Sequence, residues 1–332
     1  AQIVGALDKE VVVMNSLTVN LHLLMISFYR PNGKRKKILI EKNAFPSDKY
    51  AVQSQLKFHG NNPETDLLTL NPEHGNIITE NDIIKCLENH GDEIALVLLG
   101  GVNYYTGQAF DMKMITDRAQ NCGCRVGFDL AHAAGNLKME LHAWGVDFAA
   151  WCGYKYLNGG PGAPSAIFIH ERHLDKIDLP RFEGWWGHEK ASRFEMPEKF
   201  IPLKTVESWQ LSNPPILSMA ALLASLEIFH EVGMSALRKK SEKLTSYLES
   251  SLIYELNEHL EIITPKSNKS RGCQLSIRIK NKSDGIMEKL HEKGVICDWR
   301  EPDVIRVAPV PLYNSFEDCH EFVFRLKEII NV

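Results

Sequence analysis

Two short apolar runs that each end in chemically active side chains set the strongest limit on how this chain folds. The first run, Val126 to Phe128, leads into Asp129, and the second, Phe148 to Trp151, leads into a turn that holds Lys155. An amphipathic connector separates the runs, and the 26 residues from Asp129 to Lys155 are about one strand, one helix and one strand. Ligands of open α/β sheets bind beyond the carboxyl ends of the strands, so we expect both side chains to face one crevice.

A lysine amine and a carboxylate in one crevice are the pair that pyridoxal phosphate chemistry requires. The amine holds the aldehyde as a Schiff base, and the carboxylate pairs with the protonated ring nitrogen, which makes the ring an electron sink. Either residue alone is more often a solvated loop charge. Together they indicate a pyridoxal phosphate enzyme with an amino-acid substrate, and the spacing goes no further than that.

The rest of the sequence alternates strand-like and helix-like segments, a pattern typical of an α/β fold with a mostly parallel sheet. We predict a large cofactor-binding domain over residues 1–232, a bridging helix within 233–256 and a smaller α+β domain over 257–332. The predicted strands are 11–14, 37–41, 67–70, 94–99, 126–128, 148–151, 166–169, 260–263, 274–279, 295–298 and 305–307. The predicted helices are 1–7 in part, 16–29, 47–59, one capped by Thr79, 112–121, 214–232, 235–252 and 283–293.

Two further positions, Thr18 and Arg306, are candidates for function from the residues themselves, and a third pattern marks a helix start. Thr18 lies near a predicted helix start, where free N–H groups favour an anion, and a plain N-cap stays open as the alternative. Arg306 lies on the otherwise apolar strand 304–307, where its partner is either a substrate α-carboxylate or a structural carboxylate. Asn213 and Pro214 predict the N-cap and the first position of a long helix.

The motif D-x-A-H at Asp129 to His132, followed by W-x-x-Y-K-Y-L-N-x-G at Trp151 to Gly160, resembles the kynureninase family. The similarity extends from about Asn15 to about Phe316. It implies a fold-type I enzyme with pyridoxal 5′-phosphate as cofactor and a homodimer with a shared active site. It also implies hydrolysis of L-kynurenine or 3-hydroxy-L-kynurenine to L-alanine and an anthranilate.

The same resemblance implies which residues form the site. Lys155, Asp129 and Tyr154 are the expected catalytic residues, and Arg306 is expected to bind the substrate. The other expected cofactor-binding residues are Leu17, Thr18, Phe45, Pro46, Ser47, Asp48, Gly100 and His132, with Trp185 and Asn213 reaching the phosphate of a neighbouring subunit. Relatives carry a serine at the position of Gly100. A backbone N–H or a water could take the place of its hydroxyl here, or the glycine serves only to permit a tight turn.

Two alternatives stay open. A cysteine desulfurase requires a reactive cysteine in a mobile loop after the lysine, and the next cysteine after Cys152 is Cys273, in strand-like sequence. A non-catalytic protein of the same fold is the second, because relatives have a further segment ahead of Ala1 that contacts substrate. We therefore expect the natural chain to begin earlier, and residues 260–263 and Ile277 to be exposed without that segment.

Composition excludes several classes of protein. A net charge of −4 over 332 residues gives no electrostatic footprint for nucleic acid or an anionic membrane. Seven scattered cysteines argue against a disulfide framework and favour a reducing compartment, so we expect a cytoplasmic protein. Cys122 and Cys124 lack a second cluster at ligand spacing, so no metal site is expected. No apolar run reaches the roughly 18 residues of a membrane span.

Overall fold

The computed structural model describes residues 1–280 and 285–330 and divides the chain into two compact units. The first consists of Ala1–Gly101 and Asp111–Glu231, and the second of Val102–Phe110 and Val232–Val332. The second unit therefore includes Val102–Phe110, which the sequence placed in the large domain, and also the segment predicted as a bridging helix.

A seven-stranded sheet organises the first unit. Its strands in chain order are β1 Val11–Val13, β2 Lys37–Glu41, β3 Leu67–Leu70, β4 Ile94–Gly100, β5 Arg125–Asp129, β6 Phe148–Trp151 and β7 Ala166–Ile169. Their spatial order is β1-β7-β6-β5-β4-β2-β3, with parallel pairing from β3 to β6 and antiparallel pairing of β7 with β6 and with β1. The predicted mostly parallel sheet is confirmed, and β4 and β6 are buried, as expected of parallel strands covered on both faces.

Helices follow the strands of this unit as the periodicity predicts. They are α1 Leu17–Phe28, α2 Pro46–Phe58, α3 Pro63–Asp66, α4 Glu80–His90, α5 Met112–Asn121 and α6 Ile216–Val232. Capping residues fix several of these boundaries. Thr79 and Asp82 form a reciprocal capping box at α4, and the Asp111 side chain accepts the Met114 N–H at 2.9 Å at the start of α5.

Two expectations about helices in this unit are wrong. Residues 130–147 form turns rather than the expected crossover helix, because Gly135 has φ +81° and a Cβ there would lie 2.7 Å from the Tyr156 carbonyl oxygen. Helix α6 begins at Ile216, so Asn213 is not its N-cap. A residue that precedes proline avoids the helical region, and Pro214 is itself followed by Pro215, so helix formation is delayed.

The second unit contains a four-stranded antiparallel sheet with the order β10-β11-β9-β8. Its strands are β8 Leu260–Ile262, β9 Leu275–Ile279, β10 Asp298–Arg300 and β11 Val304–Val307. Its helices are α7 Met234–Leu256, α8 Ile286–Glu292 and α9 Phe316–Ile330. The strand predicted at 295–298 forms instead at β10, and residues 283 and 284 of the helix predicted at 283–293 lie outside the described residues.

Helix α9 was not predicted, and it changes one expectation. Its apolar side supplies Phe322 and Leu326 to a core that also contains Leu260 and Ile277. Leu260 is 3% exposed and Ile277 is fully buried, so the prediction of uncovered apolar surface there is wrong. The described residues of this unit form a core of their own.

The described part of the chain has no single helix long and apolar enough to cross a membrane. The consecutive helices α6 and α7, taken together, meet that test by length and composition alone. All seven cysteines are free thiols.

Candidate active site

The carboxyl ends of β5 and β6 bring the predicted acid and amine to one edge of the sheet. Asp129 is the last residue of β5, and Lys155 lies four residues after β6, which is adjacent and parallel to β5. Lys155 Nζ lies 3.5 Å from His132 Nε2 and 5.7 Å from the centroid of the Phe45 ring. The amine therefore lies beside both an imidazole and an aromatic ring.

A tight turn fixes the backbone around Lys155. The Asn158 N–H donates to the Lys155 carbonyl at 3.0 Å, and the Gly159 N–H donates to the Gly153 carbonyl at 2.9 Å. A Cβ at Gly159 would lie 2.9 Å from that Gly153 oxygen, so the turn requires a glycine there. The turn thus fixes the backbone from which the Lys155 side chain extends.

Asp129 and Asp48, the third residue of α2, form a pair of carboxyl groups that we call the acid pair. Their side chains share a hydrogen bond, and Asp129 also accepts the Ala131 N–H at 2.7 Å. Burial raises the pKa of both groups, and the charge of Asp129 raises the pKa of Asp48 further. The bonds from Asp48 and Ala131 oppose the rise at Asp129, so Asp48 keeps the proton and Asp129 carries the negative charge.

Two helix N-termini meet beside this edge and form an anion cradle, which we define as the first turns of α1 and α2 with Thr18 and Ser47. The Thr18 and Ser47 hydroxyls share a hydrogen bond of 2.8 Å. Neither Ser16 nor Phe45, the N-cap residues, caps its helix with a side-chain bond. The first-turn N–H groups and the positive ends of both helix dipoles therefore suit one anionic group.

Tyr154 is half exposed, and its hydroxyl hydrogen-bonds the buried Cys152 thiol. That bond and partial burial raise the pKa of Tyr154 to about 12. Tyr154 is therefore protonated at neutral pH and is able to donate a proton.

Gly100, the last residue of β4, does not direct its N–H toward a ligand. The N–H donates to both carboxylate oxygens of Glu41, at 3.2 and 3.3 Å. This backbone group is therefore engaged within the protein, and replacement of the relatives' serine hydroxyl by another backbone N–H or by a water stays a prediction.

Trp185 and Asn213 have surroundings of their own in the structure. The Trp185 indole donates to the Arg193 carbonyl at 3.3 Å and stacks edge-on with Trp186. Across residues 1–280 and 285–330, neither Trp185 nor Asn213 hydrogen-bonds Lys155 or the anion cradle, and both are exposed. Their expected role in a neighbouring subunit's site stays a prediction.

Arg306 lies on β11 in the second unit, and its guanidinium is already partly engaged. Nη2 forms an ion pair with Asp298, and Nη1 donates to the Tyr104 carbonyl at 2.8 Å. Nε is buried and has no hydrogen-bond partner among the described residues. The structural salt bridge therefore exists, and the guanidinium keeps further N–H groups for another acceptor.

Sequence reasoning missed Glu41, the Cys152 thiol and Asp298 as neighbours of the expected site residues. Glu41 carried a signal, because it ends the apolar strand Ile38-Leu39-Ile40 just as Asp129 ends its own strand. Cys152 and Asp298 carried none, since a thiol next to a strand and an acid in a small domain are common.

Glu10, His142 and His170 form a separate group whose ligand atoms lie within 4.8 Å of one another. Glu10 Oε1 accepts the Glu171 N–H at 2.7 Å and pairs with His142 Nδ1 at 2.9 Å. The Nδ1 atom of His170 accepts the Arg172 N–H at 3.2 Å. These bonds within the protein account for the arrangement of the three side chains, so we assign the group to structure.

The donor set of this edge fits pyridoxal 5′-phosphate. Lys155 offers the amine, Asp129 the carboxylate, Phe45 an exposed ring face and the anion cradle a phosphate site. Leu17, Pro46 and the Thr18–Ser47 pair form the two helix starts that build the cradle, with Leu17 packed against the core.

Several solved structures share the fold of this chain. A cysteine desulfurase from Escherichia coli matches with a TM-score of 0.81 and 16% identity, covering 100% of this chain and 82% of that chain. A cysteine desulfurase from Thermococcus onnurineus matches with a TM-score of 0.79 and 17% identity, covering 99% of this chain and 81% of that chain. A lyase with glycine covalently linked to its pyridoxal phosphate matches with a TM-score of 0.79 and 18% identity. The match covers 96% of this chain and 80% of that chain. The fold and site together define a fold-type I pyridoxal phosphate-dependent enzyme.

Sequence relatives identify the family within that class. The chain is 56% identical to the kynureninase of Koribacter versatilis, covering all of this chain and 78% of the relative. It is 54% identical to the kynureninase of Flavobacterium johnsoniae, covering 99% and 78%, and residues 237–326 match the Kynureninase C-terminal domain. The chain belongs to the kynureninase family, whose members are hydrolases that act on a carbon–carbon bond.

The likeness to desulfurases extends to the fold alone, since identity there is below 20%. Cys273 is fully buried, and Cys152 is buried with a raised pKa because of desolvation. Neither thiol is the exposed nucleophile that a desulfurase needs.

Proposed function

We propose that this chain hydrolyses the Cβ–Cγ bond of L-kynurenine or 3-hydroxy-L-kynurenine. One water is consumed, and the products are L-alanine and anthranilate or 3-hydroxyanthranilate, a step of tryptophan degradation. The observation that carries the proposal is the identity above 50% with kynureninases over the whole chain. It is supported by Lys155, the acid pair and the anion cradle at one sheet edge.

Each site residue has a role that its surroundings favour. The cofactor, when bound, supplies an electron sink. Lys155 holds it and moves the substrate α-proton, the charge on Asp129 keeps the ring nitrogen protonated, and the anion cradle binds the phosphate. Tyr154 donates a proton where the substrate carbonyl carbon is cleaved. Phe45 and His132, which both lie beside the Lys155 amine, would help to hold the cofactor.

The test is direct. Purified protein supplied with pyridoxal phosphate and L-kynurenine is expected to form anthranilate and alanine in equal amounts, measured by fluorescence and amino-acid analysis. Saturated protein that releases no anthranilate from either kynurenine would show that the fold is kept without this activity.

We propose that Arg306 binds the α-carboxylate of the substrate. Its remaining N–H groups suit a second carboxylate beside Asp298, and a guanidinium fork matches that geometry better than an ammonium. Arg306→Lys is expected to raise KM about tenfold or more, about 1.4 kcal/mol of binding, with a smaller change in kcat.

Arg300→Lys is the matched control, because Arg300 also pairs with Asp298, at 2.8 Å, but is more exposed. Its KM is expected to stay at the native value. If Arg306→Lys also keeps the native KM while its melting temperature falls, Arg306 is a structural residue.

We propose a cytoplasmic homodimer in which Trp185 and Asn213 complete the neighbouring subunit's phosphate site. The exposure of both side chains supports this arrangement. The free thiols support a reducing compartment. Cofactor binding then stabilises the dimer through mass action.

Mixing two inactive variants tests the shared site. Lys155→Ala and Asn213→Ala protomers, exchanged in equal amounts, are expected to recover about a quarter of native activity, since half of the two-fold dimers are mixed and each has one intact site. Mixed dimers that are shown to form by mass spectrometry and stay inactive would place the whole site within one chain.

A further inference from the structure

Glu41 is a buried acid at the carboxyl end of β2, 5% exposed, that no part of the proposed reaction uses. Its backbone belongs to the ladder with β4, in which Leu39 lies opposite Val97. By that register Glu41 lies opposite Leu99, one residue before Gly100. The Glu41 side chain then accepts the Gly100 N–H with both oxygens, at 3.2 and 3.3 Å.

This bond fixes the end of β4 next to the acid pair. Gly100 is paired in register with Asp129, and the Gly101 N–H donates to the Asp129 carbonyl at 2.7 Å. A hydrogen bond from a backbone N–H to a carboxylate is stronger than one between neutral groups. Loss of the Glu41 carboxylate would therefore free the terminal peptide of β4, and with it the backbone contact of Asp129.

Glu41 also acts on the acid pair through its charge. Burial is the largest cause of the raised pKa of Asp48, and the charges of Asp129 and Glu41 raise it further, whereas Lys155 lowers it. Asp48 therefore lies under the influence of two further carboxylates, Asp129 and Glu41, with Lys155 as the opposing cation. Such a group holds a proton more readily than an isolated pair.

We propose that Glu41 is a positioning residue for the acid pair: its carboxylate clamps the end of β4 through the Gly100 N–H and directs the single proton of the pair to Asp48. Asp129 is then left as the anion that meets the cofactor nitrogen. The role rests on the proposed function for its meaning in catalysis, but the clamp and the proton position are properties of the protein without substrate.

Two substitutions separate the clamp from the charge. Glu41→Gln keeps the size and one acceptor oxygen but removes the charge, and Glu41→Ala removes both. Asp66→Asn is the matched control, because Asp66 is another buried carboxylate, 2% exposed and paired with Lys36, just before the opposite end of neighbouring β3.

Hydrogen exchange of residues 94–101 in purified protein measures the clamp, which is the bond from the Gly100 N–H to the Glu41 carboxylate. Exchange at Gly100 is expected to stay native in Asp66→Asn, to rise by clearly less than tenfold in Glu41→Gln, which keeps one acceptor oxygen, and to be about tenfold faster or more in Glu41→Ala. Native protection in Glu41→Ala would overturn the clamp. If Glu41→Ala does not fold, faster exchange in Glu41→Asp, whose shorter side chain falls short of the N–H, replaces that test.

The infrared C=O stretch of a protonated carboxyl in cofactor-free protein measures the proton on Asp48. The band is assigned to Asp48 if Asp48→Asn removes it. In Glu41→Gln this band is expected to disappear at a pH about half a unit lower or more, and in Asp66→Asn at the native pH. An unchanged midpoint in Glu41→Gln would overturn the electrostatic role.

The two proposals fail in different ways. Protein that shows both Glu41 effects but does not cleave kynurenine would refute the proposed function and keep the clamp. In active protein, Glu41→Gln is expected to lower kcat more than it raises KM, since the substrate itself is not touched. An equal effect of Asp66→Asn on kcat would reduce Glu41 to a general stability role.

Discussion

Lys155→Ala is expected to abolish turnover and to remove the visible absorbance band of lysine-bound pyridoxal phosphate. The cofactor's aldehyde then has no amine at the edge formed by β5 and β6. Borohydride reduction, which fixes the cofactor to its lysine, should label the native protein at Lys155 and leave the variant unlabelled. Turnover is expected to fall by at least about 10³-fold, about 4 kcal/mol of transition-state stabilisation.

Lys155→Arg is the matched control for this variant. The guanidinium keeps the positive charge that faces Asp48 and Asp129, so the acid pair keeps its cation, but it does not form the covalent bond. We expect Lys155→Arg to bind cofactor noncovalently and to stay inactive. A borohydride label that moves to another lysine in either variant, with activity retained, would show that Lys155 is the wrong residue.

The position of this lysine was predictable from two features. The apolar runs located β5 and β6 to within one residue, and parallel strands of one sheet end at the same edge. Asp129 and Lys155 therefore met although residues 130–147 lack the expected helix. Turns span the same distance as a helix would, so an error in the connector left the prediction at the strand ends intact.

The errors share a physical cause in tertiary contacts. The left-handed Gly135 lies against the Tyr156 carbonyl, a contact between distant turns that no local pattern reveals. Helix α9 was missed although its apolar side covers Leu260 and Ile277, and this led to a false expectation of exposed surface. The cofactor-side bond between Gly100 and Glu41 joins two strands 59 residues apart in the chain.

The protonation states of the acid pair also depend on tertiary contacts that no local sequence pattern reveals. Asp48 lies in the first turn of α2, where the helix dipole favours an ionised aspartate. The same turn also faces Asp129, and burial together with the charge of this second acid raises the pKa of Asp48 against that effect. Two acids with unlike protonation states therefore arise from surroundings alone.

The second large effect is expected for Asp129→Asn. The amide keeps the shape of the side chain and an oxygen that accepts the Ala131 N–H, but it removes the charge that keeps the cofactor nitrogen protonated. We expect kcat to fall by about 10³-fold or more, about 4 kcal/mol, while some cofactor still binds through Lys155 and the anion cradle. Steady-state kinetics and cofactor titration measure the two effects separately.

Asp48→Asn is the matched control within the pair, and it decides which acid meets the ring. Because Asp48 holds the proton and donates to Asp129, an asparagine there still donates a hydrogen bond and leaves the Asp129 charge in place. The expected loss is therefore about tenfold or less, about 1.4 kcal/mol. A larger loss in Asp48→Asn than in Asp129→Asn would exchange the two roles. Native kcat in Asp129→Asn would mean that ring protonation does not depend on this carboxylate.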